Sequence, residues 1–196
     1  MERSPLPLPR ETERLILRTP LPTDAAAIQE AIEESFADLH IWMDWATKLQ
    51  SLDETKAAAE RHQANHASAE DFTVSAFRRD TGKFVLNAGL HPRNWKVPSF
   101  EIGYWCRTSM QGSGYVTEVV KELTAAAFRD MGARRVEIRC DSRNQHSRRV
   151  AELAGYRLEA ILRCDDRAND GTLRDTTVYA LLAEEFDRES QGDGAG

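Results

Sequence analysis

Gln111 to Val120 reads QGSGYVTEVV. Its two closely spaced glycines stand between a strand-like run, SFEIGYWC (Ser99 to Cys106), and residues that recur at helical spacing: Val119, Val120, Leu123, Ala127 and Met131. A strand, a glycine loop and a helix in direct succession constrain this chain more than any other stretch. A helix N-terminus presents unpaired N–H groups and the positive end of a dipole, so a loop holding Gly112 and Gly114 lets phosphate oxygens approach the main chain. The same stretch taken alone reads equally well as a turn and helix cap. Two other phosphate-binding patterns fail on spacing. Gly82-Lys83 lacks the upstream glycine and following Ser/Thr of a P-loop, and Thr117 stands where a dinucleotide fingerprint wants its third glycine.

The rest of the chain alternates elements without repeating them. RLILR (Arg14 to Arg18) reads as a strand. Thr23 or Asp24 caps a helix to about Phe36, and Ser51-Leu52-Asp53-Glu54 opens a second helix to His66. FTVSAFRR and FVLNAGLHP flank Asp80-Thr81-Gly82 as a hairpin, with Pro92 to Pro98 leading into SFEIGYWC. Beyond Gly132 the period falls to two, with Val136, Ile138 and Cys140 alternating with charged residues. A helix from Gln145 to Ala154 stops at Gly155, and strands at Arg157 to Arg163 and Thr176 to Leu182 complete an α/β (α+β) domain with a mixed sheet. Residues 1–10, rich in proline and charge, and the polar residues 187–196 are expected to be loose, which leaves one domain over residues 11–186.

Bulk properties narrow the partners. The chain has 196 residues, enough for one well-cored domain, and 26 Lys plus Arg against 32 Asp plus Glu give a net charge of −6, which argues against nucleic acid or an anionic membrane as a partner. No apolar run is long enough to span a bilayer, and MERSPLPLPRETER lacks the regions of a secretory signal, so a cytoplasmic location is expected. Cys106, Cys140 and Cys164 are odd in number and far apart, which suits reduced thiols and implies no metal. His62 and His66 share a helix face without a third ligand nearby.

Taken jointly, the motifs resemble those of the GNAT acyltransferases. Gln111, Gly112 and Gly114 match that family's Gln/Arg-x-x-Gly-x-Gly/Ala pattern, with Val116 departing from its small last residue. NQHSRRVAELAGY carries Asn144 and Ser147 ahead of Gly155-Tyr156. With ETERLILR, EIGYW and the tryptophan-rich LHIWMDWA (Leu39 to Ala46), it is similar to the branch that acetylates ribosomal-protein N-termini. The likeness covers roughly residues 11–182.

The resemblance implies a mostly antiparallel sheet in which Ser99 to Cys106 and Arg134 to Cys140 are parallel neighbours that splay apart. It implies acetyl-coenzyme A as cofactor, with pantetheine against the strand at Tyr104, Trp105 and Cys106. The pyrophosphate would sit on the amides of Gln111, Gly112, Ser113, Gly114, Tyr115, Val116 and Thr117, with Asn144 on pantetheine and Arg148 on the adenosine 3′-phosphate. It implies direct attack of an amine on the thioester, the acceptor being a protein N-terminus, ribosomal above all, and a homodimer as an expected state. A small-amine acetyltransferase and a non-catalytic acyl-CoA-binding module are the alternatives.

Chemistry then nominates roles. An α-amino group near 7.7 to 8.0 needs less help to attack as the neutral amine than a lysine near 10.4. Glu101, on the strand beside the cofactor, is the candidate general base, and a structural carboxylate paired with arginine is its alternative. Ala151 stands where many family members carry a tyrosine acid, so Ser147, one turn past Asn144, is the candidate donor to the leaving sulfur. Asn144 also reads as an N-cap. Trp42 and Trp45, with His40 at the rim, line an acceptor pocket or anchor a loop to the core. Cys106 and Cys140 read as core residues.

Overall fold

The computed structural model describes residues 4–192. Eight strands form one sheet: β1 (Arg10–Glu11), β2 (Leu15–Arg18), β3 (Phe72–Arg78), β4 (Phe84–Asn94), β5 (Ser99–Cys106), β6 (Arg135–Asp141), β7 (Arg157–Arg167) and β8 (Leu173–Leu182). Their order is β1-β2-β3-β4-β5-β6-β8-β7, antiparallel throughout except at β5–β6. Five α-helices flank the sheet: α1 (Ala25–Trp42), α2 (Leu52–Ala67), α3 (Tyr115–Arg129), α4 (Gln145–Leu153) and α5 (Ala183–Gly192).

Alternation along β5 assigns its faces. Phe100 and Ile102 join Val119, Val120 and Leu123 of α3 in the main core, whereas Trp105 packs with Ile28 and Ile32 of α1 in a second cluster. β3 runs FTVSAF with every residue buried, as a strand covered on both faces requires. The α2 start carries the capping box expected of it: Ser51 Oγ accepts from Glu54 N at 3.2 Å, and Glu54 Oε2 accepts from Ser51 N at 2.8 Å.

The β5–β6 junction controls everything that follows. The two strands are partners only at Ser99↔Arg135, Phe100↔Val136 and Glu101↔Glu137. Each then continues, β5 to Cys106 and β6 to Asp141, while β6 stays paired with β8 along its other edge as far as Asp141↔Thr176. A sheet edge is thus created inside the sheet, beyond Glu101.

Several expectations need correction. The first segment is not loose over its described part: Leu6 is 1% exposed in the core, and Arg10 binds Glu122 at 2.6 Å and Asp130 at 2.7 Å. Apolar residues between the prolines dock on the domain, which composition alone conceals. Nor is the C-terminal segment loose from residue 187, because α5 extends to Gly192; residues 193–196 lie outside the described part. Asp24 stands at the head of α1 without bonding its backbone, since its carboxylate is engaged by Arg18 at 2.6 and 2.7 Å. α1 runs to Trp42, so the first half of LHIWMDWA is helical. β7 and β8 form a hairpin longer than their patterns suggest.

Candidate active site

The divergence of β5 and β6 opens a cavity of about 710 Å³. Tyr104 of β5, Cys140 of β6, and Asn144 and Ser147 at the head of α4 line it on one side; Glu101 and Trp105 of β5, with Trp42, Trp45, His62 and His91, line it on the other. The gap therefore joins the α3–α4 side of the sheet to the α1–α2 side.

At the α3 end, Gly112 and Gly114 have φ of +72° and +79°, and Gly114 is the residue ahead of the first helical turn. A side chain there is strained whatever the room, and there is room: a Cβ on Gly112 would meet nothing within 4 Å, and one on Gly114 would lie 3.5 Å from Arg14 Nη2. Glu118 N, bonded to Gly114 O at 3.1 Å, begins the helical ladder, so the amides of Tyr115, Val116 and Thr117 have no acceptor within the helix. Gln111, Gly112, Ser113 and Gly114 are exposed. This is a main-chain anion cradle at a helix N-terminus. The Tyr115 side chain turns into the core, and Val116 packs against it, so neither offers the cradle more than main chain. Arg14, which the sequence does not single out, braces the loop. Its Nη1 donates to Ser113 O at 2.9 Å, its Nε to Glu118 at 2.7 Å, and its guanidinium lies 4.4 Å from the Tyr115 ring centre.

At the head of α4, Asn144 Oδ1 accepts from Ser147 N at 3.0 Å, the N-cap role that was its alternative reading. The cap fixes the first turn, and Ser147 Oγ then lies 2.9 Å from the Tyr104 hydroxyl across the gap. Tyr104 is held further by donation to Ser147 O at 3.1 Å. Burial pushes the Tyr104 phenol well above its ordinary value, which keeps it protonated and able to donate. A phenol hydroxyl is therefore supplied from β5 although Ala151 leaves α4 without one.

Other expected contacts are placed differently. The Cys106 side chain is buried, with its thiol pushed up to about 12 by desolvation, and it does not line the cavity. Cys140, expected in the core, instead lines the cavity with its sulfur 3.1 Å from Thr177 Oγ1. Arg148 is already engaged, donating to Tyr179 OH at 3.2 Å and Ser142 O at 3.3 Å. His40 does not border the main cavity: its Nδ1 lies 2.9 Å from Ala46 O, and it lines a separate space of about 210 Å³ with Trp42 and Arg143. The extension of α1 is the reason, since it turns His40 away and leaves Trp42 and Trp45 facing the cavity. The Trp45 ring lies tilted at 56° against that of Trp105, with centroids 6.1 Å apart. His66 lies 2.9 Å from Leu6 O, which ties down the N-terminal segment and separates it from His62.

On the α1–α2 side, Glu101 occupies the last paired position of the seam. Burial raises its pKa, the Arg93 guanidinium at 3.6 Å opposes that, and Glu137 adds to it. Opposite Glu101 stands His91, with Nδ1 2.5 Å from Asp71 Oδ1. Burial alone would raise the Asp71 carboxyl, but the His91 contact and Thr73 bring it below its usual range. Sequence reasoning missed this pair because its members lie 20 residues apart and meet only through strand register.

A seam that opens after three pairs, with an amide cradle at its mouth and hydroxyls across its gap, defines an acyl-coenzyme A-dependent N-acetyltransferase. The chain belongs to the GNAT acetyltransferases: residues 14–157 match the family described as "Acetyltransferase (GNAT) domain". Among its relatives is the uncharacterized N-acetyltransferase YoaA of Bacillus subtilis (strain 168), 25% identical over 172 residues, 88% of this chain and 95% of that one. The ribosomal-protein-serine acetyltransferase of Escherichia coli (strain K12) is 26% identical over 141 residues, 71% and 76% of the two chains. RimL, a ribosomal L7/L12 alpha-N-protein acetyltransferase solved in complex with coenzyme A, shares the fold with a TM-score of 0.81 at 22% identity, over 93% of this chain and 99% of that one. The protein is an acyltransferase, and its cofactor is acetyl-coenzyme A.

Proposed function

We propose that this enzyme acetylates the N-terminal α-amino group of a protein, a ribosomal protein above all. The observation that carries the reading is the two-sided gap beyond Glu101↔Glu137. Donor-binding groups stand on the α3–α4 side, and an aromatic, carboxylate-bearing mouth that suits a chain end stands on the α1–α2 side. The relationship to the E. coli ribosomal-protein-serine acetyltransferase supports the choice of acceptor.

In this reading the cradle at Gly112–Thr117 holds the pyrophosphate, and the free edge of β5 at Tyr104 to Cys106 pairs with pantetheine amides, which otherwise would leave strand groups unpaired. Arg148 reaches the adenosine 3′-phosphate by exchanging its bond to Ser142 O for a charged one. The amine enters between Trp42 and Trp45 and attacks the thioester carbon directly. Glu101 accepts a proton from the reacting nitrogen. With the Tyr104 proton on Ser147 O, the Ser147 hydroxyl proton rests on the Tyr104 oxygen and swings to the departing sulfur, so the C–S bond breaks as the thiolate is met by a hydrogen bond. The proposal places the enzyme in the cytoplasm, where ribosomal proteins are made, and pairs it with a second copy over the exposed Leu158, Ile161 and Leu173 of the β7–β8 hairpin.

The deciding experiment incubates purified protein and acetyl-CoA with ribosomal proteins and with a panel of small amines, reading mass shift and free thiol. A 42 Da gain (about one acetyl group) on a protein N-terminus supports the proposal. Turnover confined to polyamines, antibiotics or amino acids transfers the enzyme to the small-amine class, and binding without thiol release makes it an acyl-CoA-binding module.

A further inference from the structure

Across the α1–α2 face of the sheet, adjacent strands set titratable side chains in one row. His91 on β4 is the backbone partner of Glu101 on β5, and Glu101 is the partner of Glu137 on β6. Asp71, one residue ahead of β3, completes the row by its 2.5 Å contact with His91 Nδ1. The next row is Thr73, Gly89 and Gly103, which carries almost no side chain at its centre. A Cβ on Gly89 would lie 2.4 Å from both Cε1 and Nε2 of His91, and one on Gly103 would lie 3.3 Å from Nε2. The imidazole is therefore folded over the glycine pair. Its Nδ1 is held by Asp71, and its Nε2 stands above Gly103, two residues beyond the last parallel pair, where the sheet has opened. His91, Glu101 and Gly103 all border the cavity.

The stoichiometry of the reaction gives such a group work. An amine that arrives as an ammonium loses two N–H protons on becoming an amide: R–NH3⁺ and acetyl-S-CoA give R–NH-acetyl, CoA-SH and one H⁺. The first proton must leave before the nitrogen lone pair can form the C–N bond. The second leaves the far more acidic nitrogen of the tetrahedral adduct as the C–S bond breaks. One of the two is regained at sulfur as the thiol, and the other reaches solvent. Glu101 accounts for one acceptor.

We infer that His91, held by Asp71, is the second: its Nε2 takes the first proton from the incoming ammonium, and Glu101 takes the later one. The inference rests on the amine-acceptor reading above. As classes, imidazoles titrate closer to an α-amino group than carboxylates do, and proton transfer is most efficient between matched groups. Asp71 accepting from Nδ1–H leaves the Nε2 lone pair facing the cavity. The titratable groups that interact with the ring are Asp71 before β3, His62 on α2 and Glu101 on β5; beyond them, Arg61 of α2 acts on His62, and Arg93 of β4 with Glu137 and Arg139 of β6 act on Glu101. Asp71 is the one in direct contact, and it stabilises the imidazolium that proton capture creates. A side chain at Gly89 would occupy the volume of the ring, and one at Gly103 would crowd it.

Two measurements test the inference. Imidazole ¹⁵N NMR on the full chain needs no acceptor: the neutral His91 ring, assigned by the loss of its signals in His91→Gln, is expected to carry its proton on Nδ1, and a proton on Nε2 overturns the inference. In kinetics with an amine the wild type acetylates, His91→Gln and Asp71→Asn are each expected to lower kcat/KM by about 10²-fold below the amine's pKa. Both losses should shrink as pH rises past that pKa, with acetyl-CoA affinity unchanged. Gly89→Ala, which leaves both titratable groups in place, should reproduce the loss by displacing the ring, and this variant covers the case in which His91→Gln folds poorly. The Glu101→Gln loss should persist at alkaline pH. Activity of His91→Gln or Gly89→Ala within twofold of wild type across the pH range rejects His91 as an acceptor. A wild type that turns over no amine instead rejects the amine reading, and the tautomer then decides the state of His91 alone.

Discussion

The Tyr104 hydroxyl and Ser147 Oγ lie 2.9 Å apart, one on a strand edge that has lost its neighbour and the other in the first turn of the facing helix. The bond spans the gap between β5 and α4, so in the mechanism proposed above the two hydroxyls would act as a unit on the leaving sulfur. Ser147→Ala is expected to lower kcat by about 10²-fold across the pH range, a scale typical of acid–base assistance. Tyr104→Phe should cost nearly as much, and the double variant little more than either. Additive losses in that double-mutant cycle would show that the hydroxyls act separately.

Gly114→Asp is expected to weaken acetyl-CoA binding strongly. The residue sits at φ +79°, where any side chain is strained, and in the proposed binding mode the new carboxylate would face the phosphates. Titration calorimetry on the folded variant checks this, and an unchanged Kd would remove the cradle from the binding site.

Arg14 braces the same loop from outside by its bond to Ser113 O. Arg14→Ala should raise the Kd for acetyl-CoA about fivefold, the equivalent of roughly 1 kcal/mol for one hydrogen bond. The acceptor KM should not move, which separates bracing of the cradle from general loss of stability.

Burial holds the Glu101 carboxyl above its ordinary range. A raised carboxyl binds its proton more tightly in the folded than in the unfolded chain. Its favourable contribution is thus complete below the unfolded pKa and is lost as pH rises through the folded one. Glu101→Gln is therefore expected to raise Tm at neutral pH and to leave it nearly unchanged below pH about 4. A neutral-pH Tm lower than wild type would mean that the Arg93 contact outweighs desolvation.

The expected strand Ser99 to Cys106, the glycine loop and the helix after it were legible because each rests on local rules: alternation, positive φ, periodicity. The Asn144 cap was legible for the same reason. The Tyr104–Ser147 and Asp71–His91 contacts were not, because residue spacing says nothing about which hydroxyl or imidazole a neighbouring element will present. His40 was misplaced by a boundary error. A helix expected to stop near Phe36 runs on to Trp42, and six more residues rotate every later side chain about the helix axis. Leu6 was missed because a segment that reads as solvated by composition is held by a tertiary docking site.

In the binding mode proposed above, the short seam between β5 and β6 would also make the cofactor a structural component. On its β6 edge β5 has partners only from Ser99 to Glu101, and pantetheine lying along Tyr104 to Cys106 would act as a ninth, non-peptide strand that closes the sheet. Amides of that segment should exchange with solvent quickly in the free protein and slowly when loaded. Because acetyl-CoA binds the native chain and not the unfolded one, cofactor at a hundred times its Kd adds about 2.7 kcal/mol to the folding equilibrium. Resistance of the chain to proteolysis is thereby expected to rise with acetyl-CoA concentration, the ligand supplying the piece that completes the sheet.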